Sequence, residues 1–319
     1  MTSTTTTSDI PYTRGLHRLT EHCHTWLVPD GTWGWSNAGL ITGEGESLLV
    51  DTLFDLAMTR EMLQGLRPVT DEAPIRTVVN THANGDHWFG NELLADCEIV
   101  ASRSTAAEMT TNGPDWIQVL LDQPGEAGRF ARHIFGQFDF TNITPTMATR
   151  TFDDELALDV GGTEVQIIKL GPAHTDGDSV VFAPEERVLY TGDLLFIGGT
   201  PISWSGPISN WVTACDRMLA LEPERVVPGH GPVVAAKDIH QVRDYLVWVE
   251  REAGARYERG MSPEDAMRDI NLGRFAGLDE QGRIAQNVLA VYYELDPTLV
   301  RVDTREVFRR IAELEGFTD

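Results

Sequence analysis

The chain has 319 residues, 41% of them hydrophobic, and 49 acidic against 25 basic side chains give it a formal charge of −24. That length allows one large domain with additions or two domains, and the apolar fraction suffices for a full hydrophobic core. So acidic a surface repels phosphate backbones and anionic lipid, which sets nucleic acid and membranes aside as partners.

Residues 1–14 open Thr/Ser-rich, with neither a basic start nor an apolar stretch. They are expected to form a disordered tail rather than a signal peptide. Cys23, Cys97 and Cys215 stand at unrelated spacings, which gives no disulfide framework and no thiolate zinc motif; a reducing cytoplasm fits. No run approaches the roughly 18–20 apolar residues of a membrane span.

From residue 15 to 52 the pattern is strands and tight turns, with Gly43-Glu44-Gly45 as a hairpin signal between Leu40-Ile41 and Leu48-Leu49-Val50. In His22-Cys23-His24 the strand period puts the two histidines on one side and the cysteine on the other, a structural arrangement rather than a ligand trio. Residues 55–67 change to helical period, with Leu56, Met58, Met62, Leu63 and Leu66 on one face and Pro68 as the expected stop. A strand is expected at Ile75 to Val79, a short helix from His87 to Leu94 with Trp88 packed on it, and a strand at Glu98 to Ala101.

Residues 103–148 differ, with Trp116, Val119, Leu120, Phe130, Ile134, Phe135 and Phe138 at mixed helical spacing. They are expected to be a helical insertion, serving either as a packing subdomain or as a cover for the site. Strand character returns at Thr151, and further strands are expected at 155–158, 165–170, 179–182 and 188–190. A helix near 208–221 precedes a strand at 225–227, and residues 236–319 read as a helical C-terminal extension. The strand–helix alternation argues for a layered α/β domain over residues 15–235, whose order permits two similar halves meeting face to face.

Four clusters of ligand-type residues interrupt this pattern. Thr81-His82-Ala83-Asn84-Gly85-Asp86-His87 follows the strand at Val79, His174 stands in Gly171-Pro172-Ala173-His174-Thr175, Asp193 in Thr191-Gly192-Asp193, and His230 in Pro228-Gly229-His230-Gly231. Imidazole nitrogen and carboxylate oxygen are donors preferred by zinc and related divalent ions. Each cluster lies where a β-rich run meets a Gly-, Pro- or Asn-containing turn, which is how a scaffold directs ligands to a shared site. His133 and His240 stand alone and carry no such signal.

The combination resembles the metallo-β-lactamase superfamily, whose signature is His-X-His-X-Asp-His followed by separate His, Asp and His ligands. His82, Asp86, His87, His174, Asp193 and His230 match it in order, and the resemblance spans about residues 15–235. It implies an αββα sandwich. It also implies one metal on His82, residue 84 and His174, a second on Asp86, His87 and His230, and Asp193 bridging. Asn84 stands where the family carries its second histidine, which leaves open a dinuclear site with one weaker position, a single metal, or altered chemistry. Asp193 takes the place where lactam-cleaving zinc enzymes commonly carry a thiolate, which argues against antibiotic hydrolysis.

The chemistry expected is hydrolysis of an ester, thioester or lactone of a small, mostly apolar substrate. One or two divalent ions, zinc first with iron or manganese as alternatives, lower the pKa of bound water from about 15.7 towards 7. Asp86 and Asn84 are the expected catalytic residues. Trp33, Trp35 and Trp204, in turns flanking the ligand segments, are expected to contact substrate. Gly-X-Ser-X-Gly is missing, which lowers the serine-hydrolase alternative, and dinucleotide and phosphate loops are likewise missing. Rival readings are a β-lactam or amide hydrolase, a diiron redox enzyme or lyase on the same fold, and an inactive metal-binding relative; a homo-oligomer is compatible with all of them.

Overall fold

Alternation of apolar side chains along the strands builds the layers of this protein, whose computed structural model describes residues 9–318. Among the described residues, seven strands form the first sheet in chain order: β1 (Gly15–Arg18), β2 (Cys23–Leu27), β3 (Ala38–Gly43), β4 (Glu46–Val50), β5 (Ile75–Val79), β6 (Glu98–Ser102) and β7 (Arg150–Phe152). The first four pair antiparallel, and β4 to β7 run parallel. The second sheet sets β8 (Glu155–Val160), β9 (Thr163–Lys169), β10 (Ser179–Ala183), β11 (Val188–Tyr190) and β12 (Arg225–Val227) side by side in that order. It too begins antiparallel and ends in a parallel pair, β11 with β12. The two sheets are therefore similar halves, as the strand order permits.

Leu48, Val50, Val79 and Val100 from the first sheet meet Val165, Ile167, Val181 and Tyr190 from the second in the layer between them. Their strand neighbours Leu49, Val78 and Ile99 point the other way, into the core under the helices. This period-two partition makes an αββα sandwich. Truncating Leu48, fully buried between the sheets, would cost about 2–5 kcal/mol. Gly43 pairs with Glu46 across the β3–β4 hairpin, which leaves Glu44-Gly45 as its turn, and Gly45 has φ +75°, the left-handed conformation that such turns require.

Helix α1 (Leu56–Thr70) begins where Asp55 caps it by accepting the Met58 N–H at 2.7 Å. It runs past Pro68, contrary to the expected stop: the proline stands in the last turn, and the Asp71 N–H still reaches the Arg67 carbonyl at 3.0 Å. The expected helix at 87–94 is instead two short 3-10 turns, Gly85–His87 and Phe89–Leu94. The His87 carbonyl already accepts from the Thr52 N–H at 3.0 Å and from Asn80 Nδ2 at 2.8 Å. It is thereby occupied where an α-helix would need it.

The insertion folds as α2 (Arg103–Met109), α3 (Pro114–Leu121) and α4 (Gly125–Phe135). Pro114 opens α3 rather than breaking a helix, because the first position has no use for its missing N–H. The second half continues with α5 (Ile208–Ala220), and the extension with α6 (Ile239–Glu258), α7 (Pro263–Asp269), α8 (Ile284–Leu295) and α9 (Thr304–Leu314). Insertion and extension are neighbours: α4 packs on α9, with Arg309 3.3 Å from Glu126.

Ile10 and Tyr12 pack against the layer between the sheets, and the Tyr12 hydroxyl donates to the Val28 carbonyl at 3.2 Å. The packed chain thus includes residues ahead of the boundary expected at residue 15; residues 1–8 of the expected tail lie outside the described residues. No helix among the described residues is long and apolar enough to cross a membrane.

Candidate metal centre

The loops that leave β5, β9, β11 and β12 carry His82 to His87, His174, Asp193 and His230, and all of them open at one end of the sandwich. His82, His174 and Asp193 offer donor atoms within 4.8 Å of one another, and so do Asp86, His87 and His230. Asp193 joins the two groups. Its Oδ2 stands 3.4 Å from both His174 Nε2 and His230 Nε2 and 3.8 Å from His82 Nε2, while its Oδ1 is 3.1 Å from His87 Nε2. Asp86 Oδ2 lies 3.3 Å from His230 Nε2, and Asn84 Nδ2 3.2 Å from His174 Nε2.

Each imidazole is held from behind by its other nitrogen, which fixes the edge it presents. His174 Nδ1 donates to the Ile202 carbonyl at 2.6 Å and His230 Nδ1 to that of Gly31 at 3.1 Å. Asp51 Oδ2 holds His87 Nδ1 at 2.9 Å and accepts the Thr81 hydroxyl at 2.8 Å. With its single proton committed there, the Thr81 oxygen accepts from His82 Nδ1 at 3.0 Å. All four rings therefore turn Nε2 inward. Asp51 reaches this position with φ 63° at the end of β4, and the Thr81 N–H anchors its other oxygen at 2.7 Å. Gly229 is required for a different reason: a Cβ there would collide with Asp193 Oδ1.

Protons are distributed unevenly over this cluster. Burial drives His82 well below the ordinary histidine range, with the His87 charge adding to it, and takes His174 down to about 4. Burial would lower His87 and His230 as well, but Asp193 and its fellow carboxylates outweigh it, taking His87 well up and His230 to about 9. Asp193 is held well below the carboxylate range because His230, His87 and His82 overcome the cost of its burial.

His82 Nε2, His87 Nε2 and Asp193 Oδ1 are nevertheless buried without a hydrogen-bond partner; although the last two stand close, they do not align. Leaving such groups unsatisfied costs about 1–3 kcal/mol each. Two orphaned imidazole nitrogens converging on a carboxylate with an orphaned oxygen of its own fit a divalent cation, because nitrogen and carboxylate oxygen are its ligands.

The cluster forms one side of a cavity of about 190 Å³. Trp33, Phe54, Phe135, Phe196, Trp204 and Phe308 supply its aromatic walls, and Asn84 and Asp86 face it. Phe196 lies parallel to His230 at 5.3 Å, and Trp204 stacks on Phe308 at 5.9 Å. Trp33 also borders a second cavity that contains Glu280 and Phe130. Trp35, expected beside substrate, lies outside the metal-side cavity; its ring packs on Phe138 at 4.8 Å, and Arg14 covers it. Both indoles border that second cavity, and across the turn at Gly34 only Trp33 reaches the metal-side one as well.

The fold model of the metallo-beta-lactamase superfamily matches residues 31–230. The chain belongs to that superfamily. Among curated relatives, the 2,4-dinitroanisole O-demethylase subunit alpha of Nocardioides sp. (strain JS1661) is 26% identical over 64% of this chain and 54% of its own. The linear primary-alkylsulfatase of Pseudomonas sp. (strain ATCC 19151) is 22% identical over 85% of this chain and 59% of its own. The acyl-coenzyme A thioesterase MBLAC2 of Gallus gallus is 25% identical, covering 65% and 76%. This chain thus spans little more than half the length of the first two. A double mutant of the sec-alkyl sulfatase PisA1 shares the fold, with a TM-score of 0.68 at 17% identity, covering 90% of this chain and 51% of that one.

Superfamily proteins bind one or two metal ions, and the two donor groups here can hold them. Several residues around the site carried no sequence signal. Phe308, on α9, reaches the cavity from the C-terminal extension, and so does Arg283. Arg283, 2% exposed, lies 4.1 Å above the Trp33 ring and pairs with Glu280 at 2.8 Å, whose other oxygen accepts the Trp33 N–H at 2.9 Å. No spacing rule links residues 33 and 283; only a doublet of Glu and Arg three apart on one turn was there to notice. His22 and His24 line a different surface groove, with Cys23 turned into the layer between the sheets.

Proposed function

We propose that this chain is a metal-dependent hydrolase cleaving an ester, thioester or lactone of a small, mostly apolar substrate. One observation carries the reading: two three-residue donor groups are joined through Asp193, a member of the first, at the side of an aromatic cavity. In this reading His82, His174 and Asp193, with Asn84 beside them, hold one ion, and Asp86, His87 and His230, again with Asp193, hold the other. Zinc is the first candidate, with iron or manganese as alternatives. A divalent ion held there supplies Lewis acidity and acidifies water at neutral pH.

The residues of the chain do the rest. Asp86, which faces the cavity, orients an incoming water through its carboxylate. The Asn84 amide offers a donor and an acceptor at the position where the family's second histidine would stand, and so orients water or substrate as well as serving as a weak ligand. Trp33, Trp204 and Phe308 take up the apolar part of the substrate and exclude bulk water, which strengthens every polar contact at the reacting centre. Thr81, Asp51 and the carbonyls of Ile202 and Gly31 keep the imidazoles aligned.

Similarity to an alkylsulfatase and an O-demethylase supports a second reading, cleavage of a sulfate ester or an aryl ether with the same donors. The deciding experiment is a native-metal determination followed by a panel of acyl thioesters, esters, lactones, alkyl sulfates, aryl ethers and β-lactams. Metal-dependent turnover of the acyl compounds is expected. A protein that stays metal-free after reconstitution, or that turns over only sulfates or ethers, overturns the first reading.

A further inference from the structure

Away from the metal ligands, the cavity has a polar stretch besides Arg283 and Thr304. Glu108, near the end of α2, and Asn112, one turn further, both line it. The Asn112 N–H donates to the Glu108 carbonyl at 3.0 Å, which keeps the two side chains on the same side of the turn. Their neighbours there, Trp116, Ile117 and Leu120, are apolar. Glu108 Oε2 is buried and has no hydrogen-bond partner. Lys169, whose charge acts on Glu108, instead donates its ammonium to Ser104 Oγ at 2.8 Å. A carboxylate oxygen in that position is costly until a donor reaches it.

We propose that Glu108 determines the specificity of this cavity by selecting substrates that carry a hydrogen-bond donor, a hydroxyl or an ammonium, on their apolar portion. This rests on the hydrolase reading and adds to it the substrate class. The cavity's aromatic walls, Trp116 among them, favour the same ligands, since they accept alkyl chains and attract cations. Burial, with the Asp176 carboxylate behind it, also pushes the Glu108 carboxyl up to about 7, so the group gains from a donor more than an exposed glutamate would. A purely structural role would be to brace the loop at Asp176 and Gly177, whose N–H groups act on this carboxylate.

The test uses the metal-loaded full chain and three matched acyl thioesters: plain, ω-hydroxy and ω-ammonium. The wild-type protein is expected to prefer the donor-bearing substrates by about tenfold or more in kcat/KM, as a hydrogen bond to a charged group allows. Glu108→Ala should bring the ratio of donor-bearing to plain substrate close to one, with metal per chain unchanged. Glu108→Gln, whose amide oxygen still accepts, should keep a preference for the hydroxyl and lose one for the ammonium, which separates the two donors. A wild-type protein without preference, an unchanged ratio in Glu108→Ala, or loss of metal from Glu108→Gln overturns the proposal. Should the wild-type protein cleave none of the three, the hydrolase reading falls by itself. Calorimetric binding of the corresponding carboxylic acids then decides for Glu108: tighter binding of the hydroxy or ammonium acid, lost in Glu108→Ala, upholds it, and equal binding overturns it.

Discussion

Asp51 Oδ2 holds His87 Nδ1 at 2.9 Å and, through the Thr81 hydroxyl at 2.8 Å, also sets the ring of His82. One carboxylate therefore aligns a donor in each half of the centre. Asp51→Asn should lower metal affinity about 10–100-fold, the usual effect of losing such support, while the strands around it stay folded. Chelator competition measures this, and an affinity equal to wild type would show that the alignment is incidental.

His87 and His230 each bring a nitrogen to the group that Asp86 completes. The purified protein should hold between one and two divalent ions per chain, and His87→Ala or His230→Ala should empty that group. Elemental analysis beside circular dichroism reads both outcomes; full metal content in either variant would sink the assignment.

Asn84 Nδ2 lies 3.2 Å from His174 Nε2. Asn84→His should tighten metal on the His82 side and lower turnover about 10–100-fold, since an imidazole fills the amide's space and removes its hydrogen bonds. Tighter metal with undiminished turnover on the preferred substrate would make Asn84 a tolerated variation.

Phe135 and Phe138 lie three residues apart but have different surroundings. Phe135 borders the metal-side cavity, whereas Phe138 packs among Trp35, Phe54 and Phe140. Phe135→Ala should raise KM at unchanged metal content, and Phe138→Ala should act chiefly on stability, by about 3–5 kcal/mol for a buried ring. Substrate saturation curves and denaturant melts separate them; identical profiles for the two variants would refute the distinction.

Glu306 pairs with Arg309 and Arg310 at 2.7 and 2.9 Å, and these partners, Arg309 foremost, hold its carboxyl down at about 2 against an ordinary 4.5. For a depressed acid, the stabilisation is complete above the unfolded value and is lost as pH falls towards the folded one. The stability gap between wild type and Glu306→Gln should therefore be constant above about pH 5 and close between 4.5 and 2. A gap that persists at pH 2 would mean that the pairing does not stabilise α9.

Local rules made much of this molecule legible. Strands at 75–79, 188–190 and 225–227 and the Gly43–Glu46 hairpin follow from apolar period and turn chemistry, and the candidate ligand residues, which the structure brings together, stood out by clustering in turns after strands. What escaped depends on distance in the chain. A 3-10 path through residues 85–94 is imposed by Thr52 and Asn80 competing for the His87 carbonyl, and Pro68 is tolerated because it falls where the helix is already ending. The cavity's far wall comes from Arg283, just ahead of α8, and from α9, and nothing local marks Phe308 or Arg283 as facing Trp204 and Trp33, more than a hundred positions earlier. Trp33 and Trp35 look equivalent in sequence, yet across the turn at Gly34 only Trp33 reaches the metal-side cavity, while both border the neighbouring one.

Trp33 borders both the metal-side cavity and the neighbouring one that holds Glu280. It is the residue common to their two linings, and its indole is clamped by Arg283 on its face and by Glu280 through its backbone. Shortening it to alanine would join them, so that a chain too long for the first room could run through the wall into the second. On the hydrolase reading, the reach of a substrate would then be set by one ring acting as a bulkhead, and by how firmly Arg283 and Glu280 keep it shut.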